Sequence, residues 1–351
     1  MAIIAAGRKI AFRSLFGNLA AFAAGLLVVV ILAEVALRLL GVGHPYYSAP
    51  ELYQPSPNPR LLFEPRPNFS GFSEGAAIQT NRLGLREREL PLAKPPGVVR
   101  VLFLGDSVTF GTGVGDEQPF PRLVESALAD VGGGAVRTIN AAVVGYNTTQ
   151  ELERLRAVGP AYRPDVVVLT FVVNDLLDAF SIFDHQYQPT GILAGPKVWL
   201  RRNSYLYRFT QNTYWRVAGE LRRLGTGRTE PLRPRTRVEE RLAELGEIAA
   251  WAQAHDARFL LVLYPDHIDD PVSPGAAGER VTVREELLGF AERSGVPAVD
   301  LTAALGDVRD PRARQFRLGE DPHPSPAGHR AIADALAPAL RAVVAGLPAG
   351  R

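Results

Sequence analysis

The sequence predicts an α/β domain with a parallel sheet flanked by helices, preceded by one N-terminal transmembrane helix. Two observations lead to this fold class. From Val98 onward, short runs rich in β-branched residues alternate with longer helical patterns, which is typical of a parallel sheet. Before that, Leu15–Ala33 carries no charge, and at about 1.5 Å per residue it approaches the roughly 30 Å thickness of a hydrocarbon core.

The N-terminal segment predicts a signal anchor at residues 15–42, after a cytoplasmic N-terminus at residues 1–14. Basic residues before the apolar run point the N-terminus into the cytoplasm and the rest of the chain outward; they are Arg8, Lys9 and Arg13. A cleaved signal peptide is the main alternative, although its apolar region would be long and no clean small-x-small site follows. A buried helix of a soluble protein is the other alternative.

The sequence predicts that residues 43–97 form a Pro-rich tether or a segment that wraps over the surface of the domain. Ten of the 28 prolines lie between Pro45 and Pro96, and X-Pro steps favour extended and turn conformations. The segment also contains aromatic residues, so we expect part of it to pack on the domain that follows; they are Tyr46, Tyr47, Phe63, Phe69 and Phe72.

Residues 98–348 form the predicted α/β domain. The strand candidates are Val98–Leu104, Val136–Ala141, Asp165–Val172, Arg258–Tyr264 and Pro297–Asp300. The helical patterns lie around Pro119–Ala129, Thr149–Val158, Val238–Ala254, Val283–Ser294 and Pro326–Val344. The continuous apolar run Val166–Leu169 indicates a strand that is covered on both faces.

An insertion at residues 176–237 interrupts this alternation, and the sequence predicts neither a clear strand nor one long helix there. Between Lys197 and Arg237, eleven Lys or Arg residues stand against two Glu, with aromatic residues interleaved. Three interpretations remain open. The insertion is a cap over the sheet with a solvated basic face, a contact with the membrane surface beside the anchor, or a groove for an anionic glycan.

The composition excludes several classes of protein. A chain that is 46% hydrophobic buries enough surface to offset its ordering entropy, so it is not disordered. The absence of cysteine excludes a disulfide framework, a thiolate nucleophile and a thiolate zinc site. A net charge of +2 gives no global reason to expect nucleic acid, and an outward-facing domain argues against such a partner.

Three candidate site residues follow successive predicted strands at one edge of the sheet. Ser107 ends the motif Gly105-Asp106-Ser107 directly after the first strand, where a turn exposes its hydroxyl. Gly145 follows the second strand, and Asn174 ends the third, where its amide can donate to an oxyanion. Each position alone is also typical of an ordinary turn. In an open parallel sheet, however, functional groups collect beyond the carboxyl ends of the strands.

His323 lies just before the last helix, whose start is indicated by Ser325 as N-cap and a proline after it. Asp321 could accept the imidazole N–H and fix the tautomer. His329 falls inside the helix and is interpreted as structural, and the spacing of the two histidines does not suit a zinc site. His267, after the fourth strand, either faces the same edge or lies in a surface loop.

The set Gly-Asp-Ser107, Gly145, Asn174-Asp175 and Asp321-x-His323 resembles the four sequence blocks of the SGNH/GDSL hydrolase family, in the family's order from about Val98 to Val344. The resemblance implies a flavodoxin-like three-layer α/β/α fold and the hydrolysis or transfer of acyl esters. It also implies roles for these residues: Ser107 as nucleophile, His323 as general base, and an oxyanion hole formed by the Ser107 and Gly145 N–H groups with the Asn174 side chain.

Two departures from the family pattern matter. Val172 stands where the family usually has Gly two residues before the Asn, which bears on the shape of the pocket. Glu320 stands where the family often has Asp, so the acid that orients His323 is either Asp321 or Glu320. The stretch Gln79–Arg86 also resembles membrane-anchored bacterial members.

The sequence therefore predicts an extracytoplasmic, membrane-anchored serine esterase that hydrolyses an acyl ester, such as an O-acetyl ester, through Ser107, His323 and Asp321. No cofactor or metal is implied. One alternative is an O-acyltransferase or deacetylase-like enzyme acting on envelope polysaccharide. The other is a non-catalytic glycan-binding module on the same fold.

Overall fold

The centre of the molecule is a five-stranded parallel sheet, in a computed structural model that describes residues 2–42, 49–131, 135–183, 191–226, 232–274, 281–306, 310–318 and 321–347. Its strands are β1 (Val99–Leu104), β2 (Val136–Asn140), β3 (Val166–Phe171), β4 (Arg258–Leu263) and β5 (Ala298–Asp300). Each end lies within one residue of the sequence prediction. All six residues of β3 are buried, as expected for a strand covered on both faces.

The described helices include every helical pattern predicted around this sheet. They are α1 (Ala2–Leu40), α2 (Ser107–Phe110), α3 (Phe120–Ala127), α4 (Thr148–Tyr162), α5 (Ala194–Asn203), α6 (Tyr205–Thr226), α7 (Arg235–Ala254), α8 (Val283–Ser294), α9 (Thr302–Leu305) and α10 (Pro326–Ala345). Ser325 caps α10 by accepting a hydrogen bond from the Gly328 N–H, and Pro326 is its first residue.

Two hydrophobic layers separate the sheet from its helices. On one face, Leu102 and Leu104 of β1 pack in a cluster with α4, α7 and α8. On the other face, Val101 and Phe103 pack with α3, α9 and α10. The alternation of side chains along the strand divides the two layers. The fold is therefore the expected three-layer α/β/α arrangement.

The strand order is β2-β1-β3-β4-β5, with all neighbours parallel. The chain moves outward from β1 to β2 and then returns past β1 to form β3. The connections therefore reverse direction at the carboxyl ends of β1 and β3. A crevice at such a reversal is where open α/β sheets bind their ligands.

Much of the Pro-rich segment packs against this end of the sheet. It forms two antiparallel hairpins, Tyr53–Pro55 with Phe63–Pro65 and Ser70–Ser73 with Ala76–Gln79. Phe63 is buried in a cluster that includes Phe110 of α2 and residues from the loop after β2. Tyr46 and Tyr47 lie outside the described residues. Part of the described segment therefore packs on the domain that follows.

The insertion differs from the sequence prediction, because α6 is one helix of 22 residues. Its principal contacts are with α5 and α1. The backbone N–H groups of Tyr205 and Leu206 donate to the Glu34 carboxylate of α1. That cap comes from a residue about 170 positions away in the chain, so no local pattern within the insertion could reveal it.

The N-terminal helix carries the predicted apolar span. The most apolar 18 residues within Gly17–Leu40 have a mean hydropathy of 2.6, and none of them is buried in the protein. It is the one helix among the described residues that is long and apolar enough to cross a membrane.

Candidate active site

Ser107 occupies the first turn after β1. Asp106 caps α2, because its Oδ1 accepts a hydrogen bond of 2.9 Å from the Val108 N–H. Gly105 has φ +150°, and a Cβ atom there would collide with the side chain of Thr109. The strand-to-helix turn therefore requires glycine before the Asp-Ser pair, and it presents the serine hydroxyl at the sheet edge.

His323 faces Ser107 across this edge, although the two residues are 216 positions apart. Its Nε2 lies 2.8 Å from Ser107 Oγ, which is hydrogen-bonding distance. His323 lies on a short strand, Asp321–Pro324, that pairs antiparallel with Arg317–Leu318. The Tyr264 hydroxyl donates to the carbonyl oxygen of Pro322 at 2.9 Å and so secures this strand beside β4.

Asn174 reaches the same point from the end of β3. It lies in the 3₁₀ turn Val173–Leu176, and its Nδ2 donates to Asp106 Oδ2 at 2.7 Å. The same carboxylate oxygen lies 3.4 Å from Ser107 Oγ. Burial raises the pKa of Asp106, whereas the hydrogen bonds from Val108 and Asn174 oppose that shift. Asp106 thus holds the Asn174 amide beside the serine.

Gly145 lies in the loop after β2 with φ +79°, in the region that favours glycine. A Cβ atom there would collide with the ring of Phe180. The neighbouring Val143 N–H donates to the carbonyl oxygen of Gly105 at 3.1 Å, so this loop is tied to the turn that carries Ser107. The structure therefore brings Ser107, Gly145, Asn174 and His323 to one edge of the sheet.

The acid that would orient His323 is the remaining predicted member. The backbone of Asp321 forms the first residue of the short strand, but its side chain and all of Glu320 lie outside the described part of the chain. The assignment of Asp321 or Glu320 stays a prediction.

His329 is separate from this site. It is fully buried in α10, stacks on the Phe120 ring, and accepts the Phe120 N–H on Nδ1 at 3.2 Å. Burial lowers the pKa of His329 to about 3. The ring is therefore neutral and structural, as interpreted from its place in the helix.

His267 bonds within its own loop. Its Nδ1 lies 3.4 Å from Asp270 Oδ1, and its side chain is half exposed. Asp270 is itself buried and also bonds to Arg233. These contacts are those of a loop histidine.

Two further features support the site and were not assigned a role from the sequence. The first is Arg86, at the end of the Gln79–Arg86 stretch. Its buried guanidinium donates to the carbonyl oxygens of Phe110, Gly111 and Val114. Arg86 thereby holds the chain that leaves α2, directly after the serine.

The second feature is a pair of fully buried carboxyl groups behind Asn174. Asp175 Oδ2 accepts the Val172 N–H at 3.0 Å and so closes the turn that carries Asn174. Burial raises the pKa of Asp175 well above its usual range, and the nearby Asp106 carboxylate raises it further. Burial, followed by the charge of Asp175, raises the pKa of Glu151. The alternation of polar and apolar residues gives no signal for such a pair.

Comparison with known proteins identifies the class. Residues 103–331 match the GDSL-like Lipase/Acylhydrolase family, which is more than half of the chain. The chain belongs to this family, and it is an enzyme that hydrolyses ester bonds. A search of curated protein sequences gave no significant match.

Similar solved structures include TesA and two esterases. The structure of TesA is 18% identical, with 70% of this chain and 99% of that chain covered at a TM-score of 0.43. The psychrotrophic esterase EstA from Pseudoalteromonas sp. is 15% identical. The match covers 69% of this chain and 97% of that chain, at a TM-score of 0.39. A catalytic mutant of Axe2, an acetylxylan esterase from Geobacillus stearothermophilus, is 19% identical, with 68% and 92% covered at 0.39.

Proposed function

We propose that this protein is a membrane-anchored serine esterase in which Ser107 is the nucleophile and His323 is the general base. The observation that carries the proposal is the 2.8 Å contact between Ser107 Oγ and His323 Nε2. A serine hydroxyl is a weak nucleophile until an adjacent base takes its proton, and this distance suits that transfer.

The reaction follows from the placement of these groups. Ser107 Oγ attacks the ester carbonyl while its proton passes to His323 Nε2. The oxyanion then receives hydrogen bonds from the Ser107 and Gly145 N–H groups and from Asn174 Nδ2. Asn174 Nδ2 has a second hydrogen for this purpose, because one serves Asp106.

Collapse of this intermediate completes the first half of the reaction, because His323 gives its proton to the leaving alcohol and an acyl-serine remains. In the second half, His323 removes a proton from water, which attacks the acyl carbon. The bond between the acyl carbon and Ser107 Oγ then breaks, His323 returns the proton to Ser107 Oγ, and the acid is released. Asp321 or Glu320 holds the imidazole in the required tautomer and stabilises its charged form.

The proposal includes the orientation of the chain. The N-terminus at residues 1–14 lies in the cytoplasm, residues 15–42 cross the membrane, and the hydrolase domain at 98–348 lies outside. The basic residues before the apolar helix support this direction. Residues 43–97 connect anchor and domain, and 176–237 form the insertion.

We propose an acylated glycan or a small acyl ester, including an O-acetyl ester, as the substrate. The outward-facing domain favours envelope material, because that is what such an enzyme meets. A transferase would use the same serine and pass the acyl group to a glycan hydroxyl in place of water. Analysis of products with a glycan acceptor distinguishes the two outcomes.

The test combines a fluorophosphonate probe for reactive serines with a panel of nitrophenyl esters of increasing acyl length. The full chain in detergent should be labelled and should turn over short esters. Ser107→Ala should abolish labelling and lower kcat by up to about 10⁶. The matched control, Ser126→Ala, changes an exposed serine on α3 and should leave both unchanged. Near-normal turnover by Ser107→Ala would refute the proposal.

A further inference from the structure

The insertion is fastened to the end of the N-terminal apolar helix. Glu34 of α1 accepts hydrogen bonds from the Leu206 N–H and the Ser204 hydroxyl, each at 2.9 Å, and from the Tyr205 N–H at 3.1 Å. Arg38 bonds to Glu34 at 2.8 Å and lies over the Tyr205 ring. The carboxylate thus caps α6 at its positive end, directly after the uncharged run Leu15–Ala33.

Among the described side chains of Gly17–Leu40, α1 is covered only around Glu34, where α6 begins. Ala33, Glu34 and Leu37 are half-buried, whereas every residue from Gly17 to Leu32 is exposed. The exposed part is the part that hydrocarbon would surround if α1 crosses a bilayer. Helix α6 therefore starts beside the outer part of the proposed span at residues 15–42, directly after its uncharged run.

Helix α6 also presents an apolar stripe to solvent. Tyr214, Val217 and Leu221 are 64%, 48% and 63% exposed, and their spacing places them on one side of the helix. They line a shallow apolar groove together with Phe209. Trp199 of α5 is 62% exposed as well. A soluble surface rarely carries such a stripe without a partner.

The charge of this helix pair indicates the kind of partner. Helices α5 and α6 together contain seven Lys or Arg and one Glu. Aromatic and aliphatic residues on one side with many basic residues are typical of helices that lie on anionic lipid. Arg202 of α5 also pairs with Glu51 of the Pro-rich segment at 3.4 Å, which links the pair to the hydrolase domain.

We propose that α5 and α6 lie on the membrane surface from which α1 emerges, with Trp199, Tyr214, Val217 and Leu221 inserted among the lipid headgroups. The inference rests on the proposed anchor. Continuity with the apolar helix favours a lipid surface over a second copy of the chain. The insertion then provides a second contact with the bilayer, in addition to α1. This contact limits the tilt of the hydrolase domain relative to the membrane.

The chain has no cysteine, so single-cysteine variants can carry an environment-sensitive fluorophore. The full chain is placed in nanodiscs with one copy per disc and roughly 30% anionic lipid, with or without brominated acyl chains. Val217→Cys and Leu221→Cys report on α6. Leu26→Cys reports on the anchor. Leu288→Cys, at an exposed position of α8, is the control for a label that stays in water.

Brominated lipid should quench the labels at Val217 and Leu221 by roughly half, because an interfacial helix buries its apolar face about 5–10 Å deep. The label at Leu26 should also be quenched, and that at Leu288 should not. Quenching at Leu26 with none at Val217 and Leu221 refutes the inference but leaves the anchor. Absence of quenching at Leu26 refutes the anchor itself. Shielding of Val217 and Leu221 only at two copies per disc would indicate self-association and overturn the lipid assignment.

Discussion

Acid should destabilise this protein through His329 while leaving that residue without a direct part in catalysis. His329 is buried against Phe120, and burial lowers its pKa to about 3, so it stays neutral in the folded chain. In the unfolded chain an ordinary histidine binds a proton below about pH 6.5. The unfolded state then holds more protons than the folded state, and stability falls as pH falls.

The size of the effect follows from the difference between the two pKa values. Each pH unit between about 6.5 and 3 lowers the free energy of unfolding by about 1.4 kcal/mol. The contribution of His329 at about pH 4.5 is therefore a loss of about 2.7 kcal/mol relative to about pH 7.5. That is a large fraction of the stability of an ordinary domain.

The assay compares wild type with His329→Asn by urea unfolding at both pH values, followed by circular dichroism. Asn keeps an acceptor for the Phe120 N–H, which His329 Nδ1 provides in the wild type. The variant should be less stable near neutral pH because a smaller side chain leaves a cavity. Its stability should fall by about 2.7 kcal/mol less than that of wild type on acidification. Parallel changes in the two proteins would refute the reasoning.

His323, the histidine beside Ser107, provides the comparison for catalytic function. His323→Asn should lower kcat by about 10⁴ or more, because Ser107 loses its base. His329→Asn should retain activity near neutral pH, since its ring contacts Phe120 and not Ser107.

Four other substitutions test the site and the buried carboxyl group behind it. Asn174→Ala should lower kcat by about 10²–10³ with little change in KM, because one oxyanion donor is lost; unchanged kinetics in a folded variant would remove Asn174 from the site. Of Asp321→Asn and Glu320→Gln, only the variant that removes the orienting acid should lose most of kcat, and equal activities would contradict a single orienting acid. Asp175→Asn tests burial of a carboxyl group whose raised pKa makes stability fall as pH rises above about 4. The Asn variant should gain in urea midpoint relative to wild type between pH 5 and pH 8, and an unchanged difference would contradict the raised pKa.

The strands of the hydrolase domain and its long helices outside the insertion were predictable from local pattern. Apolar runs and helical periodicity place the strand ends within one residue, and Ser325 with Pro326 marks the start of α10. The edge on which Ser107, Gly145 and Asn174 lie was also predictable, because successive parallel strands end on the same side.

Contacts between distant residues were not predictable in the same way. The pairing of Ser107 with His323 depends on how the last hairpin sits beside β4, where Tyr264 secures Pro322. Asp106 looked like an ordinary part of the Gly-Asp-Ser turn, yet it holds the amide of Asn174. The periodicity of apolar residues does not indicate which residue a carboxylate contacts in the folded protein.

The sequence alone determines three features of this protein, because each depends on neighbours within a few positions. They are the apolar N-terminal segment, the order of the motifs and the alternation of strands and helices. The length of α6 and the lowered pKa of His329 were decided by tertiary structure. Glu34 caps α6 from a different helix, and burial against Phe120 keeps the His329 ring neutral. Both outcomes depend on which surfaces come into contact when the layers pack. The cap hydrogen bonds and the desolvation of the imidazole exist only once those surfaces are in contact.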